Sequence, residues 1–477
     1  MLAVAAGVAA TAVIAARARR APGRPVAATG VAARNARLAA TGVKSGAAYA
    51  LHRARRAAAT SDARRAELDA AHQMRTAAQV AETLGHMKGA LMKIGQMASY
   101  LDDGIPEALR DALAALQQDA PPMSPELCAQ VVREELGTEP ATLFAEWNPV
   151  PIAAASIGQV HRARTRSGIE VAVKVQYPGV DEAIRADLVN TDLLFRAIAL
   201  MFPGLEPGPL VAELRARLTE ELDYTIEADN QRLFADAYAR HPNIHVPRVV
   251  DEYSSHRVLT TELATGARFA EAEGWSQDER NLAAEAIFRF VFRSIYRLHA
   301  FNGDPHPGNY LFRPGGRVTF LDFGLVKRYT PTEVRLFESL IQAMVLDRDI
   351  AAFRRVLERN DILRPDSDVT DDDVNAYFGH FYEFVLEDRP VTFSPEYASE
   401  SVRRVFDPNG PYAHVAKAAN VPPVLVVSQR INLGLHAVLG RLRATENFRR
   451  IAEEIWPMTN APPSTPMGEA EAAWSRP

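Results

Sequence analysis

The sequence predicts an α+β chain of two lobes with helical additions at both ends, and three observations predict it. With 477 residues, 47% hydrophobic and 24% charged, the chain is too long for one ordinary core. That balance also excludes disorder, collagen-like repetition and a polytopic membrane protein. Ile152–Ala163 and Ile169–Gln176 read as two strands joined by a turn at Ser167-Gly168, the second β-branched and apolar around a single lysine. Helical patterns lie on either side, at about 62–118, 180–240 and 276–300, and then continue to about residue 455. The expected parts are a basic extension (1–60), a helical extension (61–148), a first lobe (149–265), a second lobe with extra helices (266–456) and a disordered tail (457–477).

From the N-terminus, the first 60 residues hold ten Lys/Arg and no Asp or Glu, against a net charge of −5 for the whole chain. Leu2–Ala16 is Ala/Val-rich, but its 15 residues fall short of the ~20 that span a bilayer. It also lacks the basic start of a signal peptide. If it inserts, Arg17, Arg19 and Arg20 hold the remainder in the cytoplasm. Association with the cytoplasmic face of a membrane is the functional reading and a solvated, partly helical arm the plainer one; a basic tail alone does not argue for nucleic acid. Ser124 and Pro125 signal a helix start. Short strands are expected at 245–250, 256–263 and Arg317–Leu321, and Thr330-Pro331-Thr332-Glu333 reads as a capped helix start. Thr370 with Asp373 forms another capping pair, so the acidic run 366–373 is not a calcium loop. Val421–Leu439, broken by Gln429, Arg430 and Asn432, reads as a packed helix, not a membrane span. The tail from Pro457 is rich in Pro, Ser, Thr and Ala, which suggests disorder. The single cysteine, Cys128, excludes an internal disulfide and fits a reducing cytoplasm.

Chemistry concentrates in four places. Lys174 sits in the apolar strand and needs anionic partners. Glu221, Asp223 and Glu227 follow on a helix. Asp304 to Asn309 forms a polar loop behind a long apolar helix, and Asp322-Phe323-Gly324 ends a short strand. In phosphoryl-transfer enzymes of the protein-kinase type, a strand lysine pairs with a helix glutamate and binds phosphates. A loop aspartate accepts the acceptor's proton, and an asparagine five residues on and a later aspartate hold magnesium. Lys174, Glu227, Asp304, Asn309 and Asp322 occupy those positions in that order and spacing. Each piece alone is weak; the ordered set is specific.

From about 75 to 455 the chain resembles the UbiB (AarF-type) family of atypical, protein-kinase-like proteins, whose best-known members support ubiquinone biosynthesis. Lys93-Ile94-Gly95-Gln96 matches the family's KxGQ signature and Ala153-Ala154-Ala155-Ser156 its alanine-rich nucleotide loop. Glu221-Leu222-Asp223 matches its ExD motif, and Asp304-Pro305-His306-Pro307-Gly308-Asn309 its catalytic loop. Asn302 stands where many members have histidine. The resemblance implies a two-lobed kinase-like fold, ATP and Mg²⁺ as cofactors, and a lid in which Lys93, Gly95 and Gln96 meet Glu221 and Asp223. It also implies a role in isoprenoid-quinone or membrane-lipid metabolism.

The residues themselves shape the expected activity. Alanine restricts close backbone approach where a glycine loop would allow it, so the nucleotide loop should be stiff. Only Leu325–Tyr329 separate Gly324 from the next helix start, which leaves no peptide-binding activation segment. The acceptor is therefore expected to be a small molecule, a lipid or water. A nucleotide-gated, lipid-binding scaffold and an antibiotic-type phosphotransferase are the rival readings, and the oligomeric state, a homo-oligomer included, stays open. His306 reads as a structural residue of its loop. Finally, the chain has only six lysines against 48 arginines, and two of the six, Lys93 and Lys174, fall on defining motifs. A compact ammonium suits a phosphate-binding point charge where a forked guanidinium does not.

Overall fold

Ser124 starts the first described helix as its sequence dictates: its hydroxyl accepts from the Leu127 amide, and Pro125 opens α1 (Pro125–Leu136). The computed structural model describes residues 123–155, 157–181, 219–303, 305–365, 367–397, 400, 410–420 and 423–474. The expected extensions up to residue 122, with Lys93, Gly95 and Gln96, lie outside the described residues, as do Ser156 and Asp304. Packing divides the described chain into two units: one running to Leu222 and including Ser255–Leu259, the other made of Asp223–Ser254 and Thr260 onward.

In the first unit a small sheet is built from β1 (Glu146–Trp147), β2 (Ala153–Ala154), β3 (Gly158–Arg164), β4 (Glu170–Gln176) and the start of β6 (Val258–Glu262), in the order β1-β3-β4-β6 with β2 also on β3. β3 and β4 pair over seven residues, from Gly158 opposite Gln176 to Arg164 opposite Glu170. Their connection turns at Gly168, whose φ of 90° a side chain would resist. Val171, Val173 and Val175 are fully buried on one face of β4. Burial of each contributes roughly 1.5–3 kcal/mol. Opposite them α1 buries Cys128, Val131 and Val132.

One expectation fails here. Ile152–Ala163 is not a single strand: β2 folds back antiparallel on β3, with Ala153 opposite Val160 and Ala154 opposite Gln159. The Ala155 amide donates to Gly158 O at 2.9 Å and closes the tip. Three alanines carry no hydrophobic alternation, so the reversal leaves no periodic trace in the sequence.

The second unit is mainly helical around α3 (Gln277–Arg293), which buries Ile287, Phe288, Phe290 and Val291. Ahead of it come α2 (Tyr224–Ala237), β5 (Ile244–His245) and β6 (Val258–Glu262), the last of which begins in the first unit. A three-stranded sheet orders β5 beside β9 (Arg317–Phe320) and β9 beside β8 (Tyr310–Arg313); β7 (Ala300–Asn302) pairs separately with β10 (Val326–Arg328). The helices α4 (Pro331–Ile341), α5 (Ile350–Arg359), α6 (Asp371–Phe378), α7 (Pro423–Leu442) and α8 (Phe448–Ile455) follow. Thr330 with Glu333 and Thr370 with Asp373 form reciprocal capping boxes, as expected. In α7 Leu435, Val438 and Leu439 are buried, and no helix among the described residues is long and apolar enough to cross a membrane.

The tail corrects a second expectation. Pro466–Trp474 forms a helix, α9, docked on the second unit. Glu471 accepts from Arg289 at 3.0 Å, and Trp474 Nε1 donates to Ala239 O at 3.0 Å. Arg289 is 1% exposed and also meets Glu285 at 2.8 Å and Glu454 at 2.7 Å. Composition hid the pattern: Met467, Glu471 and Trp474 are spaced i, i+4, i+7 and share one helix face.

Candidate functional site

Register alone brings two of the expected metal-binding residues together in the second unit. β8 and β9 end with Tyr310 opposite Phe320, so Asn309 and Asp322 lie at the same end of this hairpin. The Leu321 amide donates to Asn309 O at 3.0 Å and locks the two chains there. The Asp322 carboxylate accepts from the Gly324 amide at 2.9 Å. A Cβ placed on Gly324 would stand 3.3 Å from Asp322 Oδ1 and 3.6 Å from Glu227 Oε2, so both carboxylates face this glycine.

Glu227 lies in the first turn of α2 and is buried. The same helix face continues through Asn230 and Phe234. Asn230 donates to Phe323 O at 3.1 Å, and the buried Phe323 ring packs on Phe234 with centroids 5.0 Å apart. Asn302 donates to Asp322 O at 2.6 Å, and the Gly303 amide donates to Leu325 O at 2.8 Å. Asn302, in the histidine's place, thus ties β7 to the Asp322 segment. The supports Asn230 and Asn302 were not expected from sequence. Spacing i, i+3 from Glu227 was the available signal for the first.

Around the loop, His306 Nδ1 accepts from the Gly308 amide at 3.1 Å, the structural role expected of it. Asp304 itself lies outside the described residues, but its neighbour Pro305 rests against Gly434 of α7. A Cβ on Gly434 would collide with the Pro305 ring, so this helix–loop approach requires glycine.

In the first unit Lys174 alternates with the buried valines and points from the opposite, half-buried face of β4. Gln176, two residues on and on the same face, donates to Leu222 O at 2.8 Å. The segment Glu221-Leu222 therefore runs along the face that carries Lys174. Asp223 caps α2, accepting from the Thr225 amide at 2.9 Å and its hydroxyl at 2.6 Å. Ala153, Ala154 and Ala155 are held by backbone bonds to β3 rather than hanging as a loose flap. Beneath them, Gln159 Nε2 lies 2.8 Å from His161 Nε2 and Gln159 Oε1 accepts from the Met123 amide at 2.9 Å. Cys128 Sγ lies 3.3 Å from the same ring nitrogen, and burial pushes its thiol up to about 12, so it is a packing residue rather than a nucleophile.

A strand lysine, a buried helix glutamate and an Asn/Asp pair at one hairpin end define the protein-kinase-like class, whose fold this chain has. The particular lineage follows from comparison: the ABC1 atypical kinase-like domain matches residues 115–357, half of the chain, and the chain belongs to that family. Rat atypical kinase COQ8B, mitochondrial, is 33% identical over 336 residues, covering 69% of this chain and 62% of that protein. Yeast (Saccharomyces cerevisiae) atypical kinase COQ8, mitochondrial, is 31% identical over 265 residues, covering 55% and 53%. The chain thus spans less than two thirds of the length of either relative. Among solved structures, that of Rv3197 with erythromycin from Mycobacterium tuberculosis superposes with a TM-score of 0.61 at 30% identity, covering 82% of this chain and 98% of that one.

Proposed function

We propose that the protein is an atypical kinase or ATPase that binds ATP with Mg²⁺ and transfers or hydrolyses the γ-phosphate. The observation that carries this reading is that the Asp322 and Glu227 carboxylates both face Gly324, while Asn309 is held at the same hairpin end as Asp322 by the Leu321 amide. Carboxylate and amide oxygens suit Mg²⁺, a hard cation that keeps few protein ligands and shares the rest with phosphate and water. When bound, Mg²⁺ would neutralise charge on the phosphates. Asn309 and Asp322 would hold it, Lys174 would contact the phosphates, and Glu227 would fix that lysine. Asp304 would orient the acceptor or take its proton. Ala153–Ser156 would cover the nucleotide, and Lys93, Gly95 and Gln96 would close over Glu221 and Asp223.

Only β10 lies between Gly324 and α4, so the segment that presents peptides in protein kinases has no room. A small molecule, a lipid or water is the acceptor. The names of the mitochondrial relatives and the family's tie to quinone synthesis support a role in isoprenoid-quinone or membrane-lipid metabolism. The basic first 60 residues support docking at a membrane surface, on its cytoplasmic face. ADP release by the full chain, measured with and without anionic vesicles, tests the enzyme reading. Release that disappears in Asp304→Asn supports turnover; identical background in both proteins favours a nucleotide-binding scaffold.

A further inference from the structure

The sequence places Arg328 five residues after Phe323, at the exposed end of β10, where its backbone pairs with Ala300 of β7. Its guanidinium turns back to α2. Arg328 Nη2 donates to Asn230 Oδ1 at 3.2 Å, while Asn230 Nδ2 donates to Phe323 O at 3.1 Å. The stretch from Phe323 to Arg328 is thus pinned at both ends to one side chain. That side chain is 8% exposed and stands one turn beyond Glu227 on the same helix.

An asparagine amide donates at one end and accepts at the other, so its sense decides whether it holds or repels the chain beside it. Phe323 O can only accept and the Arg328 guanidinium can only donate, so together they admit one sense. Nδ2 faces the carbonyl and Oδ1 faces the cation; the reverse would set acceptor against acceptor and donor against donor. Without the guanidinium, nothing on the Oδ1 side would select between the two, and a buried polar atom would lose its partner. On the neighbouring peptide, Asn302, opposite Val326 in the β7–β10 pairing, donates to Asp322 O at 2.6 Å. Two consecutive carbonyls, those of Asp322 and Phe323, are therefore held by amides from two different elements. Together they fix the backbone that carries the Asp322 carboxylate.

We propose that Arg328 is a positioning residue for the metal-binding aspartate, a role that rests on the reading of Asp322 as a Mg²⁺ ligand. Acting through Asn230, it fixes the Asp322–Phe323 backbone and joins it to the helix that carries Glu227. Variants of the full chain test this: Arg328→Met, which cannot donate; Arg328→Lys, which keeps a donor; and Asn230→Ala, alone and combined with Arg328→Met. Backbone hydrogen exchange over residues 322–328, followed by mass spectrometry without nucleotide, reads the brace itself. Exchange should quicken about threefold to tenfold in Arg328→Met, the range expected for one net hydrogen bond, and stay near wild type in Arg328→Lys. In the Asn230→Ala background, Arg328→Met should add nothing further. Equilibrium ATP binding reads the consequence. The gain from Mg²⁺ should shrink about threefold to tenfold in Arg328→Met, while affinity without Mg²⁺ stays within about twofold. Unchanged exchange in Arg328→Met, or an undiminished effect of that change beside Asn230→Ala, would overturn the proposal. So would faster exchange with an unaltered Mg²⁺ gain. A wild type with no Mg²⁺ gain at all would instead refute the metal reading of Asp322, and hydrogen exchange alone would then decide whether Arg328 braces the segment.

Discussion

Among single residues, Arg289 shows most plainly how charge and burial decide an outcome. Its guanidinium is 1% exposed among three carboxylates, Glu285, Glu454 and Glu471. Such a cluster is costly to desolvate, yet breaking it costs more, because the partners remain buried and uncompensated. Arg289→Met should therefore lower stability by about 3–5 kcal/mol in urea unfolding. Histidines give the pH response. Burial, with Arg293 and Arg289 nearby, pulls His241 down to about 3, and burial, with His380 nearby, does the same for His436. His241 Nδ1 accepts from the Ile244 amide at 3.0 Å, a bond that protonation there would end. Both pKa values are depressed in the folded state, so the unfolded chain takes up protons first. Their contribution is complete above about pH 6.5 and is lost as pH falls toward 3. The urea midpoint should fall between pH 7 and pH 5, and His436→Gln should flatten that fall; an unchanged slope in the variant would assign the effect elsewhere.

Elements with strong local chemistry were legible in the sequence: the α1 start at Ser124-Pro125, the capping boxes at Thr330 and Thr370, and the turn at Gly168. Those with no periodic signal, or whose partners lie far along the chain, were not. The β2–β3 reversal is written in alanines, which carry no periodicity, and α9 is fixed by a salt bridge between Glu471 and Arg289, 182 residues apart. Lys174 was legible by type and strand, but its half-buried face emerges only from the alternation of β4 against α1. Asn302 and Asn230 hold the Asp322 segment through backbone carbonyls; the sequence marked the first only by its standing in place of histidine and the second only by its i, i+3 spacing from Glu227, and neither mark named the carbonyl it holds. The approach of α7 to Pro305 was equally hidden. Gly434→Ala should push Pro305 aside and cut ADP release at least tenfold, while urea unfolding shows a loss of no more than about 3 kcal/mol. Full activity in that variant would show that the loop tolerates displacement.

For the molecule as a whole, the kinase-like order of residues is divided between two units, with Lys174 in one and Glu227, Asn309 and Asp322 in the other. The proposed nucleotide chemistry would give each unit a part, with Lys174 for phosphate and the Asn/Asp pair for Mg²⁺. The scarcity of lysine in an arginine-rich chain fits this, since a point charge, not a fork, is wanted at position 174. Equilibrium ATP binding to the full chain, with and without Mg²⁺, tests the central claim most directly. Wild type should bind at least tenfold more tightly with Mg²⁺; Asp322→Asn should lose that gain, and Lys174→Arg should bind weakly in both conditions despite its conserved charge. Binding that ignores Mg²⁺, or that is equal in all three proteins, would contradict the account.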